Sequence, residues 1–309
     1  MFFTLFLNLL PLYFLIALGW LAGRFFDIDR TTLGNLAVFI IVPIVGFGFI
    51  LQIDFQPSYI ILPVLFYALM CLVIFVFLKL GRKIYADGRA NLLAMCATAG
   101  NTGYFGLPVA LLFFTPQEVA IYIFMMLGGL VFEATVFYYV AARGRFDVKS
   151  ALIKLAKFPV IYALLAAFIL KGAGFHPPEL MMTYWGYFKG AYVIVGMMII
   201  GVALSKLDRL VISPSFLSLS FLGKFVVLPG LMLGCILFDR HVSGLFSTTV
   251  HQMMFLMTIV PPAANIATFA VQMDLKPEKA ATTILVGTIF ALFYIPAALW
   301  LGGQIGLSP

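Results

Sequence analysis

The sequence predicts an all-α membrane protein in which ten transmembrane helices form two inverted five-helix repeats, with spans four and nine broken as crossover helices. Three observations lead there. Hydrophobic residues make up 63% of the chain and charged residues only 10%, with a mean hydropathy of +1.11. Soluble domains carry about 25% charged residues. Apolar stretches long enough to cross a bilayer as helices recur from end to end. Lys and Arg gather in every second connection.

The first span covers about residues 4–23. No basic stretch precedes it, and its apolar run continues to Leu21 with Arg24 behind, so it reads as a span rather than a leader. Asp27 to Arg30 separates it from a second span at about 33–51, which ends before Asp54 and Pro57. The third, at about 58–79, stops at the polar run Arg82 to Arg89, and the fourth, at about 90–114, stops at Thr115-Pro116. The fifth, at about 118–142, leads into the linker Arg143 to Lys149. The sixth and seventh lie at about 152–172 and 184–205, parted by Gly174 to Glu179. Spans eight, nine and ten lie at about 215–238, 249–273 and 279–303, with Asp239 to His241 and Asp274 to Lys279 between them. The repeats are residues 1–145 and 151–305. Five spans per half is an odd number, so the second half enters the membrane from the opposite face.

Connections after odd-numbered spans hold Arg24, Arg30, Lys79, Arg82, Lys83, Arg89, Arg143, Arg145, Lys149, Lys154, Lys157, Lys206, Arg209, Lys276 and Lys279. Those after even-numbered spans hold Lys171 and Arg240. Odd connections are therefore expected on the cytoplasmic side of a multi-pass cell (inner) membrane protein, and both termini outside. The net charge of +7 sits in these loops and gives no sign of nucleic acid. Cys71, Cys96 and Cys235 fall in apolar segments without metal spacing and are expected to be small core residues. Motifs of soluble enzymes are absent, and neither cofactor nor metal is expected.

Two stretches break the helical pattern. Thr98-Ala-Gly-Asn-Thr-Gly-Tyr-Phe-Gly-Leu-Pro108 interrupts span four, and Val260-Pro-Pro-Ala-Ala-Asn-Ile-Ala-Thr268 interrupts span nine. The expected helix breakers are Gly100, Pro108, Pro261 and Pro262, because proline removes a donor and restricts the residue before it. Lipid cannot replace the lost backbone bonds, so the breaks must be buried or line a wet cavity. Matched breaks in two halves point to a transporter's substrate site. The C-terminal half of each broken span offers a positive helix end. Neither broken stretch contains Asp or Glu within residues 91–114 or 249–273. Asn101, Thr102, Gly103, Asn265 and Thr268 are the candidate substrate-binding residues, offering neutral donors to an anion.

The run Gly100 to Pro108 resembles the fourth-span motif of the auxin efflux carrier family, and Pro261-Pro-Ala-Ala-Asn265 its ninth-span motif. Leu36 to Pro43 and Val195 to Leu204 are similar to its second and seventh spans. The resemblance covers essentially the whole chain, and the short linker between halves matches the family's bacterial members. It implies secondary transport of small organic anions, from plant auxin to bacterial dicarboxylates of the malate and malonate type, by an elevator-type movement. Spans one, two, six and seven would form a scaffold, the other six a transport domain, and scaffolds would meet in a homodimer.

Ionisable groups fall inside several spans. Glu133, with Lys224 at similar depth, is a coupling candidate: a proton- or cation-coupling carboxylate, or else a structural partner of Lys224 or a solvated group near the cytoplasmic vestibule. A proton is favoured over sodium as the coupling ion. Lys189 is expected to snorkel, His251 to be interfacial and Asp54 to be solvated. The alternative readings are a sodium-coupled symporter of the bile-acid type and a membrane ligand sensor that does not transport.

Overall fold

The structure, a computed structural model, describes residues 2–26, 28–142, 153, 156–206 and 209–307. The expected linker at 143–149 and the boundary between residues 145 and 151 lie outside the described residues. Every named element among the described residues is helical. Among the described residues, seven helices are long and apolar enough to cross a membrane. They are α1 (Phe2–Phe25), α2 (Thr31–Gln52), α3 (Pro57–Ile84), α6 (Pro116–Ala141), α8 (Glu179–Ser205), α9 (Pro214–Ser243) and α12 (Pro277–Gly303). The shorter α7 (Pro159–Gly172) is also apolar. The remaining elements are the broken pieces α4 (Arg89–Thr98), α5 (Thr102–Phe113), α10 (Thr248–Ile259) and α11 (Asn265–Gln272).

Local chemistry sets the helix ends. Asp29 accepts from the Thr31 and Thr32 amides and starts α2. Thr115 and Glu118 form a capping box before α6, and Pro116 fills its first position. Between these ends the side chains are mostly apolar, as expected where lipid replaces water. Helices then approach through glycine, because packing in lipid rewards close contact. A Cβ at Gly201 of α8 would stand 2.0 Å from the Ile16 carbonyl of α1. A Cβ at Gly128 of α6 would stand 2.0 Å from the Pro63 carbonyl of α3.

Helix α9 departs from expectation at its C-terminal end. The sequence makes Asp239-Arg-His241 a loop, yet these residues continue the helix as a π turn, Asp239–Ser243. Asp239 is buried and accepts from His251 at 2.8 Å and from the Leu245 and Phe246 amides. His251 is therefore buried beside a carboxylate rather than interfacial. Satisfied polar partners let the charged residue turn inward. Lys189 lies over the Trp185 ring, 5.1 Å from its centroid, and Asp54 is exposed as expected.

Candidate functional site

The two breaks meet. Helix α4 stops at Thr98 and α10 at Ile259. Ala99 to Asn101 then runs antiparallel to Pro261 to Ala263, with Gly100 facing Pro262. The Asn101 amide donates to the Pro261 carbonyl at 2.8 Å, and the Ala263 amide to the Ala99 carbonyl at 3.0 Å. Each break thus supplies backbone partners that the bilayer cannot. The flanking bonds leave Gly100 and Pro262 as a non-hydrogen-bonded pair. A proline at that register gives up no bond. Glycine is required opposite it, since a Cβ at Gly100 would stand 2.7 Å from Lys224 Nζ and 2.9 Å from Val260 Cγ2.

Beyond the breaks, α5 opens with a π turn at Thr102–Gly106, closed by the Gly106 amide on the Asn101 carbonyl at 2.9 Å. Tyr122 of α6 donates to the Thr102 carbonyl at 3.0 Å. A tight turn uses the Thr102 amide on the Gly100 carbonyl. At α11 the Ile266 and Ala267 amides bond to the Ala263 and Ala264 carbonyls. The half-helix starts are therefore less open than a plain break implies, because short-range turns take up several of the orphan amides.

Both starts border one cavity of about 480 Å³. All five residues expected at the site line it: Asn101, Thr102, Gly103, Asn265 and Thr268, with Gly100 beside them. Pro261, Pro262 and Lys224 are not in its wall. Pro108 is not in it either and, against expectation, breaks nothing, because it sits near the start of the helical run Leu107–Phe113 within α5, where proline is tolerated. The rest of the wall is mostly apolar, including Val42 and Val45 of α2, Phe66 of α3, Met126 and Leu130 of α6, and Leu164 of α7. Among the described residues, no Lys, Arg or His lines the cavity.

Glu133 enters the cavity from a π turn of α6, Glu133–Phe137. Its Oε1 accepts from Asn265 Nδ2 at 2.6 Å. The broken stretches hold no acid themselves, but the fold brings one to them. Glu133 is not a partner of Lys224: the Lys224 ammonium donates instead to the Thr258 carbonyl at 2.9 Å. Asn265 Oδ1 is buried without a partner. Sequence reasoning missed Tyr192 of α8, which lines the cavity with its ring 6.5 Å from that of Tyr104. One tyrosine in a span rich in aromatics carries no separate signal. It also missed Thr31 and Asn35, which line the cavity from the start of α2.

Residues 4–300 match the family described as membrane transport proteins, the family of the auxin efflux carriers. This chain belongs to that family. It is also similar to an uncharacterized transporter of Methanocaldococcus jannaschii, 27% identical over 241 residues that cover 72% of this chain and 71% of the relative. As a member of the membrane transport protein family, the chain is an integral multi-pass membrane protein that works as a transporter. Such a protein has a substrate and a lipid bilayer as its partners.

Proposed function

We propose that the cavity at the paired breaks is the substrate site of a secondary transporter for small organic anions. One observation carries this reading: Asn101 and Asn265, far apart in sequence and each at the start of a half-helix, line the same cavity. Their amides and the positive ends of α5 and α11 suit a carboxylate. The mostly apolar wall suits a small organic anion that carries an apolar body. A substrate carboxylate beside Glu133 would place like charges together, so one of the two holds a proton when both are present. Proton and anion then bind as a neutral pair, which fits proton coupling better than sodium coupling.

The cavity reaches Thr31, Asn35 and Phe158, at the starts of α2 and α7. The Lys and Arg bias puts those ends in the cytoplasm, so this form faces inward, with both termini outside the cell membrane. Two inverted repeats at 1–145 and 151–305 would give a scaffold of α1, α2, α7 and α8. The remaining helices would carry the site across it, in a homodimer joined through scaffolds.

The test is uptake of labelled mono- and dicarboxylates into proteoliposomes, with proton or sodium gradients imposed separately. Asn101→Ala and Asn265→Ala should each reduce uptake at least tenfold. Normal uptake by both variants would refute the site, and uptake that needs sodium would refute the proton.

A further inference from the structure

Lys224 is fully buried and lies outside the cavity wall. It sits in a π turn of α9, Leu222–Val227, and its ammonium makes a hydrogen bond to one acceptor, the Thr258 carbonyl. Thr258 lies in the last turn of α10. In a continuing helix its carbonyl would accept from the amide four residues on, at position 262. That residue is Pro262, which has no N–H. The preceding carbonyl, of Met257, faces the same loss at Pro261, and the next amide, of Ala263, is committed to Ala99. The double proline that breaks α10 therefore strips its C-terminal end of backbone donors. That end also carries the negative pole of the helix. No carboxylate pairs with Lys224 among the described residues, and its nearest packing neighbours include the Gly100 backbone.

Helix ends of this kind, inside membrane proteins, commonly bind a cation. We propose that Lys224 is a resident cation for the break: it replaces the donor that Pro262 lacks and neutralises the end of α10, so that the crossing requires no bound sodium. Lys224 is on this account a positioning residue for the site, and its role does not depend on which substrate the cavity takes.

The experiment is thermal unfolding of the purified full chain in detergent, in choline chloride, sodium chloride or methylammonium chloride at equal ionic strength. The wild type should melt at the same temperature in all three. Lys224→Ala should melt about 5 °C or more lower in choline, since a buried partner is lost. Sodium or methylammonium, small enough to enter the vacated volume, should recover part of that loss in Lys224→Ala alone. Lys224→Met keeps the volume without the charge and should also melt low, while Lys224→Arg should lie above it. A wild type stabilised by sodium over choline would overturn the proposal. So would Lys224→Met as stable as the wild type, or a Lys224→Ala loss that neither cation eases. If Lys224→Ala does not fold, the order of the Arg and Met variants and the sodium response of the wild type decide the matter.

Discussion

Asn265, the first residue of α11, donates its side-chain amide to Glu133 of α6 at 2.6 Å, across 132 positions of chain. The bond ties the second break to an unbroken helix and puts Glu133, the one acid among the described lining residues, against one of the three asparagines there. One of the two Asn265 Nδ2 hydrogens is thus held by a carboxylate of the protein, which leaves the other for a substrate carboxylate.

Glu133→Gln should separate substrate binding from proton use. Glutamine retains an acceptor for Asn265 but cannot release a proton. Exchange of labelled for unlabelled carboxylate across vesicles should persist, while accumulation driven by a pH gradient should fall at least tenfold. Gradient-driven accumulation at the wild-type level would remove Glu133 from the coupling.

Gly106→Ala should loosen the first break. A Cβ there would stand 2.0 Å from the Tyr122 hydroxyl and 2.9 Å from Val260 Cγ1. The hydroxyl must then leave the Thr102 carbonyl, at a cost of about 1–3 kcal/mol. Adding Tyr122→Phe removes the colliding atom, so the double variant should melt above Gly106→Ala alone. Equal melting temperatures for wild type and Gly106→Ala would refute the close contact.

Asp239→Ala should destabilise the end of the bundle formed by α9 and α10. It strips the acceptor from His251 and from the Leu245 and Phe246 amides, in a buried setting. A loss of about 3 kcal/mol or more is expected. Arg240 links the same cluster to the chain after α12 through the Ile305 and Gly306 carbonyls and His251. Faster hydrogen exchange in residues 303–307 of the variant would accompany the loss; unchanged exchange there would break the link.

Asp29 should make the start of α2 sensitive to acid. The Thr32 and Thr31 amides hold its carboxyl below the ordinary range. A carboxyl depressed in the folded state stabilises above its unfolded value, near about 4, and loses that contribution as the pH falls through its folded value. Protection of the Thr31 and Thr32 amides against exchange, taken relative to the intrinsic rate at each pH, should fall as the pH is lowered, and Asp29→Asn should blunt that response. The effect is local because the carboxylate is exposed.

The apolar spans were readable because hydrophobic length is a property of each segment alone, whatever it packs against. Helix edges moved where a charge found buried partners, as at Asp239, since those partners come from residues distant in sequence. The breaks were equally legible: Pro261 and Pro262 remove donors in any context. The five residues named for the site do line one cavity.

Sequence alone determined the solvent, the helical segments and the two places where the backbone must fail to close its own hydrogen bonds. Tertiary structure decided what closes them: Ala99 and Pro261 carbonyls for opposite amides, and the Lys224 ammonium where Pro262 has no proton to give. It also decided that Glu133 meets Asn265 and that Tyr192 faces the cavity. A missing donor is written in the residue that lacks it, but its replacement depends on which helix the fold lays alongside.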